Sequence, residues 1–178
     1  MKIPVYSLLL VLTMTACNTA MDEAPPGPRF DGTAYRPIYA TAQEQKDIKS
    51  LPARPLRNPG KIYLLGSFLF INEMGTGVHI INNSDPKNPE NLAFVSIPGN
   101  YDIAVKGQWL YADNGTDLVV FDISNPTNVK LVKRVEKAIP LSKYPPFQNT
   151  YFECVDDTKG VVVGWEKVAM TVRPNCYR

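Results

Sequence analysis
A chain of 178 residues, 44% of them apolar, is long enough for one domain with a buried core. Nineteen basic residues against seventeen acidic ones leave a formal net charge of +2, and no run of Lys or Arg concentrates it, which excludes the electrostatic stripe that nucleic acid requires. A single histidine and the absence of any CxxC pair leave no ligand set for zinc, so neither a metal nor another cofactor is expected.

The N-terminus combines Lys2 with an apolar run to Ala16 that is too short to cross a bilayer comfortably, and residues 1–16 read as a signal peptide. The run ends in Met14-Thr15-Ala16-Cys17, which resembles a bacterial lipobox with Cys17 as the lipidated first residue of the mature chain. Met14 stands where Leu is usual, so the alternative is ordinary secretion with cleavage nearby. Residues 17–57, polar and Pro-rich at first, read as a lipidated N-terminal tether, with one short helix in "TAQEQKDIKS" and an extended path through "LPARPLRNPG". Asp22 and Glu23 are explained by solvation alone, and Asn18 lacks the acidic character of inner-membrane retention signals, which leans the placement toward the outer membrane.

From residue 61 the pattern changes to short apolar runs separated by turns: "IYLLG", "SFLFIN", "GVHIIN" and "LAFVSI", then "YDIAVKG", "QWLYAD", "DLVVFD" and "VKLVKRVE". Setting Gly66 on Gly107 aligns Phe68 with Trp109, Phe70 with Tyr111 and Asn72 with Asp113. After one extra residue in the first turn, Ile80 meets Val120, Asn82 meets Asp122, and Pro86 meets Pro126. A unit of about forty residues with four strands is therefore written twice, over 58–99 and 100–137. Such a period suits a propeller blade, whose strands are covered on both faces and so read as continuous apolar runs. Lys130, Lys133, Arg134 and Glu136 make the last strand polar, as an outer edge should be.

The stretch "GQWLYADNGTDLVVFDISNPTNVKLV" resembles the LVIVD-repeat family, through Leu118-Val119-Val120-Phe121-Asp122, with Val78-His79-Ile80-Ile81-Asn82 as a looser copy. The resemblance implies a β-propeller-like fold and a bacterial or archaeal cell-surface protein, commonly lipid-anchored, and it carries no catalytic residues across. The expected fold is all-β: two four-stranded, blade-like repeats and a C-terminal linker and hairpin cap over 138–178, an incomplete propeller. Two units cannot close a ring of four to eight blades, so the expectation is either assembly of several chains into a homo-oligomer or a short open structure with a cap. Cys154 and Cys176 are a disulfide candidate in an exported chain, with two free thiols as the alternative.

Candidate chemistry is sparse. His79 aligns with Val119 and reads as a strand position on a face that reaches solvent, and no GxSxG, HExxH or P-loop pattern appears. The turns Asn82–Pro86 and Asp122–Pro126 carry oxygen ligands in principle, but Asx and Pro in this order make turns by themselves. Asn72, Asp113 and Asp117 read as hairpin closers beside Gly-containing turns. For recognition the aromatic residues stand out: Tyr144-Pro145-Pro146-Phe147 in a linker and Trp165 in an apolar strand, against the alternative that they fill the core. The expected function is an envelope lipoprotein acting as a β-repeat binding or assembly module, with no catalytic residue and no ligand identified, partnered by the membrane through its lipid and by an envelope protein or glycan. The alternatives are a surface enzyme, for example carbohydrate-active, with its site in the blade loops, and a structural remnant without a ligand.

Overall fold
The computed structural model describes residues 28–140 and 142–178; the signal-peptide segment, Cys17 and the start of the tether lie outside them. The described chain is nearly all β, in several sheets, none of which closes into a barrel.

Each repeat folds as expected into a four-stranded antiparallel meander. In the first unit these strands are β3 (Pro59–Leu65), β4 (Phe68–Glu73), β5 (Gly77–Asn82) and β6 (Glu90–Ser96); in the second they are β7 (Ile103–Lys106), β8 (Trp109–Asn114), β9 (Asp117–Asp122) and β10 (Lys130–Val135). The registers coincide: Leu65 pairs with Phe68 and Ile62 with Ile71 in the first unit, as Lys106 pairs with Trp109 and Ile103 with Ala112 in the second. Gly66 and Gly107, the residues that set the alignment, both adopt φ 57 in their hairpin turns. The Asx turns form in both copies, with Asn82 Oδ1 accepting from Ser84 N at 3.0 Å and Asp122 Oδ1 from Ser124 N at 2.9 Å. The polar strand β10 is the outer edge of its sheet.

The two sheets pack face to face and enclose the main core, which includes Phe70, Val78 and Ile80 from the first and Leu110, Val119 and Phe121 from the second. Burying an aromatic or branched side chain here contributes about 1.5–3 kcal/mol.

Three expectations need correction. The segment taken as tether is structured where it is described: β1 (Thr33–Ala40), α1 (Ala42–Gln45) and β2 (Lys49–Pro52). A capping box between Thr41 and Glu44 starts α1, which is the short helix expected, but β2 then adds a fifth strand to the first-unit sheet by pairing with β6. The C-terminal region is not a hairpin either. It supplies β11 (Tyr151–Phe152), β12 (Val161–Ala169) and β13 (Cys176–Tyr177), and β1 inserts among them in the order β12-β1-β11-β13, antiparallel to β12 and parallel to β11. This third sheet therefore joins strands from both ends of the described chain. Pro37 is tolerated inside β1 because β11 spans only two residues, leaving that flank of β1 unpaired at Pro37. Finally, His79 does not reach solvent; it is fully buried.

Candidate functional site: an aromatic cleft under the third sheet
The hairpin ends of the two repeats converge on β12. Gly99 N donates to Gly75 O at 3.0 Å, Gly115 N donates to Gly99 O at 3.2 Å, and Gly75 N donates to Asn100 O at 2.7 Å. Gly99 has φ 73, and a Cβ there would come within 3.3 Å of Val163 Cα, so the turn can approach β12 only because it carries no side chain. On this seam opens a cleft of two lobes that share Tyr101, Pro146 and Trp165.

The first lobe, ≈ 350 Å³, is walled by Tyr101, Tyr144, Pro146 and Trp165 and carries Asp113, Ser142 and Arg178 as polar groups. The second, ≈ 330 Å³, is lined by Ile38, Met74, Phe147 and Glu73 among others. The structure thus brings together Tyr144, Pro146, Phe147 and Trp165, which the sequence marked as recognition candidates, and does not place them in the repeat core. Phe147 stacks on Tyr35 with ring centroids 4.6 Å apart, and Trp165 meets Phe152 edge-on at 5.5 Å.

Asp113 closes no hairpin on its own. Its Oδ1 accepts from Asn100 Nδ2 at 2.7 Å, Tyr101 N at 2.7 Å and Asp102 N at 2.9 Å, tying β8 to the segment that leads into β7. Its aligned twin Asn72 reaches the same Asn100, donating from Nδ2 to Asn100 Oδ1 at 2.6 Å. Burial raises the Asp113 carboxyl above its ordinary 3.8, against the three N–H donors that lower it. Burial, with the Asp113 charge nearby, pushes the Tyr101 phenol up to about 12, so its hydroxyl stays protonated and able to donate.

Arg178 was missed by sequence reading and is placed by the disulfide. Cys154 and Cys176 are bonded, which holds β13 against β11. Thr150 and Arg178 then exchange backbone hydrogen bonds at 3.0 and 3.1 Å, and the guanidinium lies 4.0 Å from the centroid of the Tyr144 ring while donating to Pro145 O. Reduction, or Cys176→Ser, is expected to cost about 3 kcal/mol for a loop of this size. Melting curves with and without reductant should differ by roughly 6–12 °C; superimposable curves would contradict the role given to this bond.

Two further polar clusters sit at the hairpins. His79 Nε2 donates to Glu73 Oε2 at 2.6 Å, and Arg54 donates to the same oxygen at 2.9 Å while its guanidinium lies 3.7 Å above the Phe94 ring. In the second unit Arg134 donates to Asp117 Oδ2 at 2.7 Å and to Asn114 Oδ1 at 2.6 Å, and Lys137 N donates to Asp117 Oδ1 at 3.0 Å. Burial pushes the Asp117 carboxyl up, but Lys137 N–H and Arg134 outweigh it and hold it below its ordinary 3.8. For Glu73, burial is likewise outweighed, by His79 and Arg54, leaving it below 4.5. A lowered carboxyl contributes stability that is present above the unfolded value and lost as pH falls through the folded one. The urea midpoint should therefore hold from about pH 7 to about pH 5 and drop as pH falls further, and Asp117→Asn should flatten that drop; an unchanged slope would count against the Asp117 pair.

Among the described residues no group of three His, Cys, Asp or Glu side chains is placed to hold a metal ion, and no helix is long and apolar enough to cross a membrane. Residues 98–137 match the model of the LVIVD repeat family, which covers β7 to β10 together with Gly99 and Tyr101 of the cleft wall. No curated protein and no solved structure matches the chain.

Proposed function
We propose that this LVIVD-repeat protein is a binding module of the bacterial cell envelope, anchored through lipid on Cys17, leaning to the outer membrane, that takes its ligand in the aromatic cleft. The observation that carries the reading is the convergence of Tyr101, Tyr144 and Trp165 on one concave surface with a carboxylate acceptor, Asp113, and a guanidinium donor, Arg178. Flat aromatic and proline walls suit the apolar face of a sugar ring, and the acceptor and donor suit its hydroxyl edge, so an envelope glycan fits this chemistry. The leader pattern and the Cys154–Cys176 bond are consistent with export to an oxidising compartment.

Binding is preferred to catalysis because Asp113 is the one carboxylate side chain among the described residues lining the first lobe, whereas glycosidic cleavage uses a facing pair. In the second lobe Glu73 is already committed to His79 and Arg54. The test is titration with soluble oligosaccharides spanning hexoses and N-acetylhexosamines. Trp165→Ala and Arg178→Ala should each weaken binding about tenfold or more, which is about 1.4 kcal/mol. Binding that both variants retain in full would remove the cleft from the account.

A further inference from the structure
The two repeats stack in one direction, like blades. The face of the first sheet that packs inward carries Phe68 and Phe70, and the face of the second sheet that meets it carries Ile103, buried to 2% exposure, and Val105 packed against the core. The repeat alignment places the twins of all four on the outside. Ile103 and Val105 correspond to Ile62 and Leu64 of β3, which are apolar yet 60% and 64% exposed. Phe68 and Phe70 correspond to Trp109 and Tyr111, half-buried on the far face of the second sheet. The chain therefore carries both halves of the sheet-on-sheet joint twice but pairs only one set internally.

From this we infer that the outer face of the first sheet docks a second copy of this chain, receiving the Trp109 and Tyr111 face of that copy's second sheet in the arrangement already formed inside each chain. The contact is heterologous, one surface meeting a different one, so it extends to closed rings or to open stacks. Arg54, whose guanidinium lies over Phe94, covers the β5–β6 side of the outer face and Ile71 of β4 is buried, which leaves the edge strand β3, where Ile62 and Leu64 lie, open to the neighbour. Apolar side chains this exposed on a sheet edge are otherwise a liability that proteins remove.

The experiment is light scattering coupled to size exclusion over a concentration series of the exported chain carrying Cys17→Ser, followed by mixing of two variants. The unaltered surface should give a mass above that of one chain that rises with concentration. The doubly substituted Ile62→Glu, Leu64→Glu chain and the Trp109→Glu chain should each be monomeric at the same concentrations, with association weakened at least tenfold. Mixed in equal amounts they should form a two-chain complex, because one retains the first face and the other retains the second. A monomer at every concentration overturns the inference. So does association that the Ile62/Leu64 substitutions abolish and mixing fails to restore, since that is a face pairing with itself. Variant folding is checked by circular dichroism, and the concentration series needs no substitution in either face.

Discussion

Gly77→Ala should be among the most damaging single substitutions in the described chain, lowering stability by about 3 kcal/mol or more. Gly77 opens β5 with φ 145, a conformation that side-chain-bearing residues rarely adopt. A methyl group there would overlap the carbonyl oxygen of Val95 and lie 2.9 Å from Ile97 N and 3.0 Å from the Phe94 ring. The first two are backbone of the adjoining strand and turn, so relief requires separating β5 from β6, the pair that carries Val78, Ile80 and Val95 into the core. The equivalent slot in the second unit holds Asp117, which makes the position a point where the repeats diverged in backbone path. The melting temperature should fall by roughly 6–12 °C. Gly107→Ala is the control: its φ of 57 is also positive, but nothing lies within 4 Å of the added methyl, and its cost should stay near 1–2 kcal/mol. Equal effects of the two substitutions would mean that close packing at Gly77 is not what matters.

Glu73→Ala should cost about 3–5 kcal/mol, because it leaves His79 buried without its acceptor and frees Arg54 from its place over Phe94. Glu73→Gln, which keeps an acceptor oxygen, should cost less. The more informative variant is the pair Glu73→Leu with His79→Val, which gives position 79 the residue its twin Val119 already has, fully buried in the second unit. Removing both members of a buried polar pair is far less costly than removing one, so the double variant should regain most of the stability lost by Glu73→Ala. Chemical denaturation of the three variants reads this directly. A pair variant no more stable than Glu73→Ala would show that His79 and Glu73 do not act as a unit.

The repeat was legible because it is local. Gly66 and Gly107, the Asx turns at Asn82 and Asp122, and the apolar runs between them fix hairpins whose partners are a few residues away, and every strand of both meanders follows from them. The third sheet was not legible for the opposite reason. Tyr35 pairs with Lys167 and with Phe152, well over one hundred residues distant, and neither the proline content before residue 60 nor the short runs after 150 encode that pairing. Proline signalled an extended chain, which is correct for β1, but an extended chain in a strand and in a tether look alike in composition.

The cleft divides along the same line. The Tyr144–Phe147 stretch could be singled out because aromatic residues beside prolines in a linker lack an obvious core to fill, and Trp165 because it is a large aromatic in an apolar strand. Asp113 looked like a hairpin closer, since only the fold shows Asn100 and Tyr101 donating to it, and Arg178 reaches Tyr144 only because the Cys154–Cys176 bond returns β13 to β11.

The chain has two tryptophans, one in the cleft and one on the far face of the second sheet, and this gives the most direct test of the binding account. In a nitrogen–proton correlation spectrum each indole N–H gives its own resonance, assignable with Trp109→Phe. Titration with the soluble oligosaccharides should move the Trp165 resonance saturably and leave that of Trp109 in place. Movement of Trp109 alone, or saturable binding that moves neither, would contradict the assignment of the cleft as the ligand site.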